Sequence, residues 1–173
     1  RKFLEAIAKG MKGLITVAAA CACSGIIVGI ISLTGVGAKF SSLMLSVAGE
    51  NILIALVMTM IASLILGCGL PTTAAYIVLS TLAVPALLKL GVSLIAAHLF
   101  VFYFGCISTI TPPVALSAYA GAALAGANPN QVGFTAFKMG IVAFIVPFMF
   151  VFDKALLLDG TIFETIRVTI TSL

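Results

Sequence analysis

The chain has 173 residues, of which 62% are hydrophobic and only 8% charged, with a mean hydropathy of +1.32. Soluble domains carry about 25% charged residues, so a water-exposed fold could not cover this much apolar surface and the solvent must be largely lipid. The formal net charge of +4 is not a nucleic-acid signal, because much of it is gathered at one end.

That end reads "RKFLEAIAKGMK". Arg1, Lys2, Lys9 and Lys12 stand just before a hydrophobic stretch, the pattern that marks the cytoplasmic side of a span. Phe3, Leu4, Ile7 and Met11 recur at helical spacing, which predicts an amphipathic, basic lead-in over 1–12 lying along the membrane surface. Residues 13–33, "GLITVAAACACSGIIVGIISL", read as a full span, since a crossing needs about 20 mostly apolar residues. Gly25 and Gly29 give that span a small-xxx-small face. "TGVGAKFSS" reads as a glycine-rich turn carrying Lys39. Residues 43–66 read as a second apolar helix with Glu50 and Asn51 near its start. A break, "GCGLPTT", follows. Residues 74–90 are helical again and end near Pro85 and Lys89. Residues 92–104 form a further helix, a second break interrupts it, and 114–125 resume it. "GANPNQVG" (126–133) is the clearly polar loop of the second half, and 139–152 a last short span. Residues 153–173 mix charges with Leu, Ile and Phe and read as an amphipathic C-terminal segment.

A signal peptide does not fit, because such a segment is short and precedes a polar mature chain. The chain opens on Arg1 and closes on "ETIRVTITSL" without a polar tail, so it is expected to be a fragment of a larger membrane protein. Cys21, Cys23, Cys68 and Cys106 all lie in apolar stretches. Cys21 and Cys23 lack the C-x2-C spacing of zinc sites, and all four read as small buried hydrophobes.

The two breaks share a pattern. The first runs Gly67-Cys68-Gly69-Leu70-Pro71-Thr72-Thr73 and continues to Tyr76. The second runs from Gly105-Cys106 through Ser108, Thr109 and Thr111 to Pro112-Pro113, with Ser117 and Tyr119 after it. Both lie well inside charge-free runs, 51–88 and 90–137. Glycine frees the backbone; proline removes a donor and favours the first turn of a helix. Each break is therefore expected to end one half-helix and begin another, at Pro71 and at Pro112-Pro113. Freed backbone groups cost several kcal/mol each in hydrocarbon and survive only inside protein or beside water. Half-helix ends offer N–H groups at a positive dipole end and open carbonyls at a negative one. A lone proline would indicate a mere kink. Two breaks with the same Gly, Pro and hydroxyl content indicate a transport site.

The stretch "LGCGLPTTAAYIVLSTLAVPALLKLGVSLIAAHLFVFYFGCISTITPPVALSAYAGAALAGANP" resembles the large membrane subunit of tripartite ATP-independent periplasmic (TRAP) transporters. The closer resemblance is to fused permeases that work with TAXI-type solute-binding proteins. It covers most of 13–154, and "TPPVAL" is its most specific motif. The resemblance implies an all-α, polytopic ion-transporter-superfamily repeat within 13–152, with a re-entrant hairpin over about 51–90 and a broken transmembrane helix over about 92–125. It implies Na⁺-coupled uptake of organic acids by an elevator motion in the bacterial or archaeal inner (cytoplasmic) membrane. A periplasmic binding protein would deliver the substrate, and the partners would be the N-terminal repeat and a small membrane segment. This chain is long enough for one repeat, the C-terminal one.

Sodium fits the residues better than a proton, because a proton carrier needs an ionisable side chain in the membrane and only Glu50 and His98 qualify. Glu50 stands at a helix entrance, where a carboxylate favours the N-terminal dipole; His98 reads as a packed or interfacial histidine. Na⁺, a hard cation, suits oxygen ligands, by analogy with calcium and magnesium. Carbonyls at Gly67, Gly69, Gly105 and Thr109 and hydroxyls of Thr72, Thr73, Ser108 and Thr111 are the candidates. Substrate contacts are expected from Pro71, Thr72, Thr73, Thr111, Pro112 and Pro113. No arginine lies between Lys2 and Asp153, so an anion would rest on the half-helix N-termini or on the other half. No cofactor is expected beyond Na⁺ as coupling ion. An enzyme is disfavoured: the spans hold no carboxylate pair or metal cluster, and neither G-x-S-x-G nor H-E-x-x-H occurs. The rival reading is a non-transporting structural or assembly fragment of another carrier of similar fold.

Overall fold

The structure, a computed structural model, describes residues 2–68 and 70–157. Every regular element among them is helical. Helix α1 (Lys2–Thr34) has 33 residues, about 50 Å at the helical rise. The lead-in expected over 1–12 and the span over 13–33 are thus one helix, because no proline or left-handed residue divides them. Gly35 ends α1 with φ 68°, a value open to glycine at little cost, and the chain turns by 73° into α2 (Val36–Ala48). The stretch expected as a glycine-rich turn is therefore mostly helix. Its buried Ser41, Met44 and Ala48 give α2 a face to pack, which outweighs the local glycines.

The helix expected over 43–66 is split. Gly49, with φ 57°, closes α2, and Asn51 opens α3 (Ile52–Gly67) by accepting the N–H groups of Leu53 and Ile54 at 3.0 and 3.4 Å. A left-handed glycine followed by an Asx N-cap is the signature of one helix stopping and another starting. After the first break come α4 (Thr72–Leu82) and α5 (Val84–Lys89), separated at Ala83, with Pro85 in the first turn of α5. Helix α6 (Leu94–Ile107) is capped by Ser93, whose hydroxyl accepts the Ala96 N–H at 3.3 Å. Past the second break, α7 (Leu116–Ala125) ends at Gly126.

The polar loop expected over 126–133 is shorter than that. Asn128 caps and Pro129 begins α8 (Pro129–Gly140), the N-cap and first-turn pairing that starts helices. A 3-10 turn at Ile141–Phe144 joins α8 to α9 (Val146–Phe152). Together Pro129–Phe152 make a 24-residue apolar helix long enough to cross a membrane, and most of its residues are not buried. The last span thus begins ten residues before the expected start. Of the expected C-terminal segment 153–173, only a 3-10 turn at Lys154–Leu157 follows; residues 158–173 lie outside the described residues.

Helix α6 is the central strut. It packs on α3, α4, α5 and α9, while α1 packs on α4 and α7 on α8. Its Ala97, Phe100, Val101 and Phe104 are fully buried. Phe100 meets Phe104 and Phe148 with ring centroids 4.9 and 5.3 Å apart, edge-on geometries that add to burial. Phe100→Ala should therefore cost about 3 kcal/mol, read as a lower unfolding midpoint of the whole transporter in detergent. Leu99→Ala, next door but 38% exposed, should cost much less; equal losses would show that α6 is not the strut.

Candidate functional site

The C-terminal ends of α3 and α6 meet. Gly67, the last residue of α3, sits against the residues that close α6. A Cβ on Gly67 would overlap Ser108 Oγ, lie 2.9 Å from Ser108 Cβ and 3.9 Å from Gly105 Cα. Only a glycine lets the two ends approach this closely. The structure thus joins the two breaks that are 38 residues apart in sequence, and it does so at their glycines.

The first break is short. Helix α3 holds through Gly67; Cys68 is extended (φ −63°, ψ 117°), and Pro71 (φ −57°, ψ 142°) precedes α4. Gly69, a candidate ligand, lies outside the described residues. Thr72 is half-buried and Thr73 exposed, both in the first turn of α4. There the N–H groups of Thr72, Thr73 and Ala74 precede the first intrahelical bond, from Ala75 N–H to Pro71 O at 3.0 Å, and so stand among the orphan donors of a helix start.

The second break lies later than the sequence suggests. Gly105 and Cys106 are still helical, and a 3-10 turn at Ser108–Ile110 continues α6. The helix survives its glycine because that glycine is packed and because three hydroxyls hold the final turn. Ser108 Oγ donates to Gly105 O at 2.8 Å, Thr109 Oγ1 to Cys106 O at 2.7 Å, and Thr111 Oγ1 to Ile107 O at 2.8 Å. Non-helical backbone begins at Thr111 (φ −101°, ψ 125°), since a residue before proline is steered away from the helical region. The next helix starts at Leu116, not at Pro112-Pro113 or Val114, so the two prolines occupy the turn itself. Tyr119 ties that turn down: its hydroxyl donates to Pro113 O at 2.8 Å. Gly133 of α8 makes room for the Tyr119 ring, 3.2 Å from where its Cβ would be.

These bonds set the electrostatics. Each of the three hydroxyls spends its proton on a carbonyl and keeps its oxygen lone pairs. Ser108 is fully buried, Thr111 is 9% exposed and Thr109 is half-buried. The junction therefore presents oxygen acceptors and the negative dipole ends of two helices, with no ionisable carboxylate or imidazole in either break. His98 is elsewhere on α6, hydrogen-bonded through Nδ1 to the Tyr76 hydroxyl at 2.9 Å. Glu50 is exposed in the turn before Asn51. No group of three or more His, Cys, Asp or Glu could hold a metal among the described residues.

One residue was not singled out by the sequence. Ser63 is fully buried, and its Oγ is the buried side-chain oxygen without a partner among the described residues. It lies one turn before Gly67, on the buried face formed by Ala55, Thr59, Ser63 and Gly67. The four-residue spacing of small residues was its signal. The contact at Gly67 carries a direct test. Gly67→Ala should force α3 and α6 apart and cost about 1–3 kcal/mol, read by thermal unfolding of the full transporter. Adding Ser108→Gly should recover most of the loss; no recovery would place the clash elsewhere.

A family model described as "Tripartite ATP-independent periplasmic transporter, DctM component" matches residues 1–165. No curated protein and no solved structure matches the chain. Systems of this kind pair the DctM component with a periplasmic binding protein and a small membrane component. Helices with broken, glycine-seated ends in a lipid-soluble chain and a match over nearly its whole length agree: the chain belongs to the DctM family of TRAP transporter membrane components.

Proposed function

We propose that this chain supplies the C-terminal half of the transport site of a Na⁺-coupled carrier in the inner membrane. In this reading it imports small organic acids, delivered by a TAXI-type periplasmic binding protein, through an elevator motion of the α3–α5 hairpin with α6 and α7. The carrying observation is the junction at Gly67, where two helix C-termini and the proton-spent hydroxyls of Ser108, Thr109 and Thr111 converge. A small hard cation needs this supply of neutral oxygens. Carbonyl and hydroxyl lone pairs replace its water, and the helix ends supply partial negative charge. Neither break offers a titratable carboxylate or imidazole, which favours sodium over proton coupling.

Each break is also followed by the opposite kind of helix end. Helix α4 starts at Thr72 and α7 at Leu116, and orphan N–H groups at helix starts bind anions. Pro71, Thr72 and Thr73 on one side and Thr111, Pro112 and Pro113 on the other would hold a carboxylate without arginine. Cation and anion would then neutralise each other across one site, so neither enters favourably alone. The N-terminal half would complete the enclosure.

Thr111→Val and Thr72→Val in the full transporter should each raise the Na⁺ concentration for half-maximal uptake in proteoliposomes by about tenfold. A ligand or hydrogen bond left unmade in a dry site costs about 1–3 kcal/mol. Ser117→Ala, exposed in the first turn of α7, should leave it unchanged. Uptake should also survive a protonophore when the Na⁺ gradient and membrane potential are held constant. Collapse under that clamp would implicate Glu50 or His98 and sink the sodium assignment.

A further inference from the structure

The backbone of the second break has few means of holding itself. Pro112 and Pro113 stand side by side, and neither has an N–H to donate. Thr111, just before them, is fixed from the α6 side: its N–H donates to Ser108 O at 3.2 Å and its Oγ1 to Ile107 O at 2.8 Å. On the far side, the first bond of α7 runs from Tyr119 N–H to Ala115 O at 2.9 Å. The tie across the gap is a side chain, the Tyr119 hydroxyl, which donates to Pro113 O at 2.8 Å.

That side chain is seated in turn on α8. Gly133 and Gly140 stand about two helical turns apart and so share one face of α8. A Cβ on Gly133 would lie 3.2 Å from the Tyr119 ring and 3.6 Å from Ala115 Cβ, and one on Gly140 would lie 3.0 Å from Ile110 Cδ1. Ile110 precedes the turn; Ala115 and Tyr119 follow it. One face of α8 thus receives residues from both flanks of the turn, and a side chain at either glycine would crowd its flank. Asn130 Oδ1, in the first turn of α8, lies 3.5 Å from the same tyrosine hydroxyl.

We propose that Tyr119 is a positioning residue of the transport site. Its hydroxyl ties Pro113 to a ring seated on α8, and the stiff Pro112-Pro113 link carries that hold back to Thr111. Thr111 is 9% exposed and is a Na⁺ ligand in the function proposed above, on which this inference rests. Tyr119 touches neither ion nor substrate in this scheme; it decides where Thr111 stands. Without the hydroxyl the turn samples further positions. Those that displace Thr111 do not bind, so the apparent affinity for Na⁺ falls with the fraction that does.

Hydrogen–deuterium exchange of the full transporter in detergent, with KCl replaced stepwise by NaCl, tests this. Tyr119→Phe keeps the ring in its seat and removes one bond. Without Na⁺, peptides over 111–118 should then exchange about fivefold faster, while those over 52–66 and 94–104 should match wild type. Na⁺ should protect peptides over 105–118 in both proteins, with a midpoint about fivefold higher in the variant and equal protection at saturation. A merely structural loss would speed exchange across α6 and α7 and leave the midpoint alone. Tyr119→4-aminophenylalanine keeps a donor at the same place and should restore both the exchange and the midpoint. Tyr103→Phe, on α6 with its ring against Phe104 and Phe150, should change neither. Unchanged exchange over 111–118 in Tyr119→Phe, acceleration shared by α3 and α6, an unshifted midpoint, loss of the folded state or no rescue by the amine would each overturn the role of Tyr119. A wild type without any Na⁺ protection would remove the sodium reading instead, and the exchange measured in KCl would still decide whether Tyr119 holds the turn.

Discussion

In hydrocarbon, every backbone N–H and C=O needs a partner, and a helix that stops part-way leaves several without one. This chain stops helices repeatedly within its apolar stretches, and the rest of the structure answers that cost. At the end of α6 the answer is local: the hydroxyls of Ser108, Thr109 and Thr111 donate to the carbonyls of Gly105, Cys106 and Ile107 in its last turn. At the end of α3 the answer is tertiary: Gly67 is driven against Ser108, which buries the helix end within protein. Asn51 and Ser93 do the equivalent work at helix starts. What remains at the α3–α6 junction is a small set of hydroxyl and carbonyl oxygens, and that remainder is the candidate site.

The site's geometry depends on rigidity that lies elsewhere. Helix α6 carries the second break, and its first ten residues are clamped by Leu56, Leu79 and Leu87 on one side and by Phe148 of α9 on the other. Dense packing of this kind does not deform gradually. A central α6 packed between the hairpin and α9 thus holds the second break in place.

The identity of the side chains in the breaks follows from the division of labour between proton and lone pair. A hydroxyl on the last turn of a helix can cap a carbonyl and still present an oxygen. An ionised carboxylate has oxygens to present but no proton to give the carbonyl, and an aliphatic residue has neither. Serine and threonine at these positions thus close the helix end and keep oxygen lone pairs on its surface. Ser63, one turn behind, has an oxygen but no carbonyl partner, and it is the exception to this economy.

Much of this was legible in the sequence. Hydropathy alone required a lipid-embedded helical chain, because no soluble fold hides so many apolar residues behind so few charges. Proline and glycine located the two breaks, because they forbid or release backbone hydrogen bonds whatever surrounds them. The limits of the elements were less legible. Gly105 and Cys106 looked like the start of a break and are helix, since the hydroxyls of Ser108 and Thr109 bond their carbonyls and glycine propensity alone does not register that. "TGVGAKFSS" looked like a turn and is mostly α2, since burial of Ser41, Met44 and Ala48 against distant residues repays its glycines. That Gly67 faces Ser108, that Ser41 donates to Leu82 O and that the Tyr76 hydroxyl meets His98 are contacts between residues far apart in the chain. Composition and spacing fix what a segment can do by itself. Which segments meet depends on how their surfaces fit, and only the folded chain decides that.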